Sequence, residues 1–237
     1  MSTSKLRPIS RQSTEAIVTD TLREYIVSGE VPPGQRLTEI ALSEQLGVAR
    51  ATLRAALLRL TAEGIVVQIP YTGWQVAQLS AQDVWEIWTL RGSLESLASR
   101  LAAARREPEV RAALEAAISE FLDACAAGDL ARMNAADFAL HRAIVDASGH
   151  SRLAAQYHVV EQQVRLFIAT SNSRVATGPS DIVAQHEPLI AALRAGDGEA
   201  AAQAAWLHDE SEGNRLMSWI RAQESAGDQT AGDQTGA

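Results

Sequence analysis

Asp137 and His141 stand four residues apart in DFALH, a spacing that puts both side chains on one face of a helix within reach of a single ion. His186 falls near the start of a later helical segment and His208 in the middle of the last one. Three imidazoles and one carboxylate converging from three helices would suit a divalent transition ion such as zinc, nickel or manganese. Taken alone, an Asp and a His at this spacing equally fit surface residues or satisfied core polar groups. His150, after Gly149 at a helix break, reads as a cap or an exposed residue. A second chemistry lies nearer the N-terminus. Arg50 and Arg54 are one helical turn apart, and the planar guanidinium fork can pair with O6 and N7 of guanine or grip a phosphate.

The elements that must hold these residues can be read from periodicity and breakers. Ser13 is placed to cap a helix running to about Ser28, with Ile17, Leu22, Tyr25 and Ile26 as its expected buried side and Gly29 as its end. Pro32, Pro33 and Gly34 force a turn. Thr38 can cap a helix to Leu46, and Gly47 can take the positive φ of a sharp helix-helix turn. The next helix, about Arg50 to Glu63, lines up Leu53, Ala56, Leu57 and Leu60 and turns Arg50, Ala51 and Arg54 the other way. Segments 65–69 and 74–79 read as short strands around a tip at Pro70 to Gly73. From Ser80 the texture is alanine-rich and helical, with breaks that predict six helices at about 81–104, 108–127, 130–147, 151–171, 180–195 and 198–222.

The expected fold is therefore mainly α: a winged helix-turn-helix with a small β-hairpin wing over 1–79, then an antiparallel helical bundle over 80–225. The first ten or so residues read as a flexible arm. The tail 226–237, which repeats AGDQT, lacks residues that could anchor a core and is expected to be disordered. The net charge of -8 is unevenly shared: residues 1–79 carry 8 Lys/Arg against 7 Asp/Glu, and residues 80–237 carry 13 against 22. The acidity belongs to the second part, so the first is free to meet nucleic acid. A single cysteine, Cys125 between two alanines, excludes an intrachain disulfide and reads as core filler. With no long apolar run and no signal-peptide pattern, a soluble cytoplasmic protein is expected, with no membrane partner.

These residues resemble the GntR superfamily of bacterial transcription regulators, in the FadR-like branch with an all-helical effector-binding (FCD-type) domain. The likeness spans residues 12–222. It rests on PGQRLTEIALSEQLGVAR, the arginine helix, the AEGIV turn and the glycine-tipped wing, then on LRGSLESLASRLAA, DFALHRAIVDASGHSRL and QHEPLIAALRAGDGEAA followed by His208. Family members commonly read S-R-T-P-V-R-E-A-L where this chain reads ARATLRAAL, so alanines at 49 and 51 replace two hydroxyls and both arginines remain.

The resemblance implies DNA contacts by Arg36, Arg50, Thr52, Arg54, Thr72 and Gly73. It also implies a metal site of Asp137, His141, His186 and His208, zinc being favoured over nickel or manganese. An organic acid would occupy the ion's open positions and pair with Arg91, with Arg165 as a second candidate. The implied protein is a homodimeric repressor on double-stranded operator DNA, responsive to a small carboxylate. Two rivals are a regulator that senses the ion itself and a metalloenzyme. HEPLI from His186 lacks the second histidine of HExxH and no nucleophile-base pair stands out, although Glu95 and Glu187 could serve as bases.

Overall fold

The computed structural model describes residues 13–233, with side chains described to residue 225. The N-terminal arm expected over the first ten residues lies outside the described residues. Helix α1 (Thr14–Val27) is capped as its sequence predicts, the Ser13 hydroxyl accepting from the Ala16 amide at 3.1 Å. Its buried side differs from the expectation. Val18, Thr19, Leu22, Ile26 and Val27 are buried, whereas Ile17 and Tyr25 are exposed. The stripe is set by what α1 packs against, which periodicity within one helix does not reveal.

A two-residue strand β1 (Arg36–Leu37) precedes α2 (Glu39–Leu46) and α3 (Arg50–Ala62). Gly47 makes the turn between the helices at φ 64°, in the left-handed region where a side chain is disfavoured. Thr38 sits at the N-cap of α2, but its side chain makes no capping bond. On α3 the expected stripe of Leu53, Ala56, Leu57 and Leu60 is fully buried. Strands β2 (Val66–Ile69) and β3 (Gly73–Val76) form the hairpin, and the wing tip Tyr71 between them is exposed at φ 62°. The sheet has three strands in the order β1-β3-β2, all antiparallel, with Arg36 opposite Gln75 and Leu37 opposite Trp74. β1 was not expected; two residues are too few to show an alternation.

The second part is helical: α4 (Ala81–Ala104), α5 (Pro108–Ala127), α6 (Leu130–Ala147), α7 (Ser151–Arg174), α8 (Pro179–Ala195) and α9 (Gly198–Asp233). Ser80 and Asp83 close a capping box at the start of α4, and His150 caps α7 by accepting the Leu153 amide on Nδ1. α9 continues to Asp233, past the boundary at 225 where order was expected to end. A helix already nucleated extends at one hydrogen bond per residue, so it needs no core anchor of its own. α4 and α9 lie alongside each other over most of the length of α4, antiparallel, as the contacts Ser96 to Ala202 and Arg100 to Glu199 show.

Phe121, Leu140, Tyr157 and Phe167 fill the bundle core, and Cys125 is buried beside them. Burial pushes the Cys125 thiol up to about 11. Trp88 and Trp206 meet edge to face at 5.6 Å, while Trp85 is about half exposed.

Candidate functional site

The exposed face of the first domain carries Arg50 and Arg54 on the opening turns of α3. Glu39, at the start of α2, braces both. Arg54 donates to it in a bidentate pair at 3.1 and 2.9 Å, and Arg50 lies 3.6 Å away. Trp74 Nε1, reaching across from β3, donates to the same carboxylate at 2.9 Å. The Arg54 and Trp74 hydrogen bonds hold the Glu39 carboxyl below its ordinary range. Arg54 is therefore aimed by an acid that is itself fixed by a buried indole.

At the other edge of this face, Arg36 donates to the Thr72 carbonyl at 2.6 Å and ties β1 to the wing. Thr52 is half-buried, and Ala49 at the N-cap of α3 offers no side-chain acceptor. Arg36, Arg50, Arg54, Thr72 and Gly73 thus bound one surface, with Thr52 partly covered beneath it. Tyr71, fully exposed at the wing tip, was not among the expected contacts. Its signal is its place at the tip, between Pro70 and Thr72.

Inside the bundle, α6 supplies Asp137 and His141, α8 supplies His186 and α9 supplies His208, all buried. The expected convergence is present: one nitrogen from each imidazole lies within 4.8 Å of the other two. His186 Nδ1 faces the Ile182 carbonyl at 2.8 Å, so it must carry the proton and leave Nε2 as an acceptor turned inward. His141 Nδ1 lies 2.6 Å from Glu95 Oε2, which likewise leaves its Nε2 inward. The two Nε2 atoms are 3.2 Å apart, and Asp137 Oδ1 is 3.4 Å from each.

Electrostatics follow from this crowding. Burial pushes the Asp137 carboxyl up, but His186 and His141 outweigh it and hold it well below the usual range. For His141, burial lowers the value while Glu95 raises it more, to about 10. Burial and the neighbouring imidazoles drive His208 well down.

Arg91, wholly buried on α4, is the cation of this centre. It reaches Glu95 at 2.9 Å, Glu212 at 3.0 Å and Asp209 at 3.1 Å, and its Nη2 lies 2.8 Å from His141 Nε2. Tyr157 closes the set by donating to Glu95 at 2.7 Å. Arg91, expected to face an incoming acid, has its donors engaged by acids of this chain. Arg165 lies elsewhere. It pairs with Glu24 of α1 at 2.5 Å and stacks over Phe138 at 5.4 Å, joining α7 to the first domain. One face of α7 meets α1 instead of the bundle interior, which spacing along α7 could not disclose.

Sequence reasoning also missed Asp209 and Glu212 beside His208, and Asn134 and Asn172 beside Asp137. Glu212 could have been found four residues after His208, with Asp209 three residues before Glu212 on the same stretch of helix.

Residues 14–76 match the family model described as bacterial regulatory proteins, gntR family, and residues 86–211 match the FCD domain. The chain belongs to the GntR family. Among its relatives, the probable D-xylose utilization operon transcriptional repressor of Paenarthrobacter nicotinovorans is 30% identical over 206 residues, covering 84% of this chain and 88% of that protein. The regulator LutR of Bacillus subtilis is 31% identical over 205 residues, with 77% and 91% covered. E. coli McbR/YncC shares the fold at a TM-score of 0.72 and 23% identity, over 87% of this chain and 98% of that one. This GntR-family protein is a DNA-binding transcriptional regulator, and its family and relatives are regulators, not enzymes. No helix among the described residues is long and apolar enough to cross a membrane.

Proposed function

We propose that this GntR-family regulator is a homodimeric repressor whose imidazole cluster holds a divalent transition ion, zinc before nickel or manganese. One observation carries the reading: nitrogens of His141, His186 and His208 lie within 4.8 Å of one another in the buried core, beside Asp137 Oδ1, which is buried and has no hydrogen-bond partner among the described residues. Both nitrogens of buried His208 also lack a partner among the described residues, and such groups are costly in a dry interior unless a cation or ligand satisfies them. Glu95, Asp137, Asp209 and Glu212 are all buried around the cluster and add carboxylate oxygens to it. Asp137, His141, His186 and His208 would hold the ion, and Glu95 would orient His141 through Nδ1. The bound ion would supply charge and open positions for an oxygen ligand.

A small carboxylate is the effector this chemistry favours, with Arg91 exchanging a resident acid for the incoming one. Repression is supported by relatives named as repressors. Dimerisation is supported by the exposed apolar residues Trp85, Leu90 and Leu97 on α4, with Leu207 on the adjoining α9. A second reading, in which the ion itself is the signal, is favoured by the complete burial of Arg91 and His141.

Metal analysis of the purified protein, with thermal melting before and after a chelator, tests the first step. The melting temperature should fall with chelator and return with Zn²⁺, and His186→Ala should lose both the ion and the response. No bound metal in the wild type, and no uptake on adding Zn²⁺, Ni²⁺ or Mn²⁺, would sink the reading. Titrating DNA release with metal alone, then with metal plus a panel of carboxylic acids, separates the two signals.

A further inference from the structure

The carboxylate of Asp137 has two ends with different company. Oδ1 faces His141 and His186, while Oδ2 accepts a hydrogen bond from Asn172 Nδ2 at 3.0 Å. The same Asn172 amide nitrogen donates its other hydrogen to Asn134 Oδ1 at 3.1 Å. Asn134 Nδ2 then donates to the Ser28 carbonyl at 3.0 Å.

Ser28 is the C-cap of α1, so its carbonyl belongs to the last turn of a helix in the DNA-binding domain and needs a partner from outside that helix. The direction of the chain is fixed by its termini. A carbonyl at one end and a carboxylate at the other both accept, so each amide must present its NH₂ as described. Asn134 is 4% exposed, which keeps solvent from competing for the link. The backbone also makes room for it: Gly29 has φ 86°, and a Cβ there would lie 3.2 Å from Asn134 Nδ2.

We propose that Asn172 and Asn134 are positioning residues that link the Asp137 carboxylate to the Ser28 carbonyl, so that a change at the imidazole cluster is felt by the DNA-binding domain. The signal through this link rests on the metal reading above, whereas the link itself can be tested without metal. Asp137, committed to an ion through Oδ1, fixes the acceptor that Asn172 must satisfy. Asn172 and Asn134 carry that constraint to the end of α1, which packs on the recognition helix α3.

The test is a double-mutant cycle on DNA affinity with the full-length chain, using a duplex selected by the wild-type protein from a randomised pool. Dissociation constants are measured at fixed salt for wild type, Asp137→Ala, Asn134→Ala and the double variant. The link requires the two changes to depart from multiplicative behaviour by about three-fold or more. Arg165→Ala, which cuts the separate contact to Glu24, should combine multiplicatively with Asp137→Ala. Independent effects of Asp137→Ala and Asn134→Ala overturn the link, as does equal coupling of Arg165→Ala. Asn134→Leu, which keeps the volume and removes both polar atoms, replaces Asn134→Ala if that variant fails to fold.

Zn²⁺ titration of wild type and Asn134→Ala by calorimetry runs in parallel, and the metal reading predicts uptake in both. Zinc uptake with a multiplicative cycle removes the link and leaves the metal site. No uptake with a coupled cycle removes the metal reading and leaves Asn172 and Asn134 as a bridge between the domains.

Discussion

Arg54 is the side chain we propose reads a base, and Glu39 shapes its environment. Glu39 neutralises part of its charge and fixes the orientation of its fork; on bound DNA this acid would repel a nearby phosphate. Arg54→Ala should weaken binding to the selected duplex on the order of ten- to a hundredfold. A scrambled duplex should be affected less. Equal losses on both would recast Arg54 as a phosphate contact. Glu39→Gln keeps an acceptor for Trp74 and removes the charge. Affinity for scrambled DNA should rise and discrimination between the two duplexes should fall, both read from titrations at two salt concentrations.

The arginines were legible from sequence because a helix sets their spacing locally. Glu39 as their brace was not, because it is 15 residues from Arg54 and meets it only after the turn at Gly47 has formed.

Among the elements, two glycine turns allow one contact to be isolated. Gly47 and Gly29 both have positive φ, but a Cβ at Gly47 would meet nothing within 4 Å, while one at Gly29 would crowd Asn134. Gly47→Ala should therefore cost about 1–2 kcal/mol from backbone strain alone. Gly29→Ala should cost more, and the difference, measured by denaturant unfolding, reports the crowding at Asn134. Equal costs would show that Asn134 yields freely.

Helix existence and most helix ends were readable, because breakers such as Gly47 and Gly128 act within a turn of the chain. Facing was less so. Ile17 and Tyr25 belong to the expected stripe of α1 and are exposed, and Arg165 leaves the bundle to meet Glu24, 141 residues away. Each depends on which element arrives opposite, and that is decided by the assembled fold.

For the molecule as a whole, the exposed apolar side of α4 sets the oligomeric expectation. Leu97→Glu would put a charge into that face, and sedimentation should show a shift from dimer towards monomer with a matching loss of DNA affinity. An unchanged dimer would move the interface to another surface. The His and Asp constellation was half legible. Asp137 and His141 could be paired from their spacing, but the acids that surround Arg91 come from both α4 and α9 and are joined only by helix packing.

The thiol at position 125 has a practical consequence at this scale. It is the only cysteine in the chain, it is buried, and its raised value keeps it almost entirely protonated near neutral pH. Maleimide dyes should therefore ignore the native protein. A cysteine introduced at exposed Leu58 on the recognition helix would give one fluorophore per protomer without first removing the native thiol. Energy transfer between the two dyes of a dimer would then read the separation of the recognition helices directly, in solution, as ions and organic acids are added.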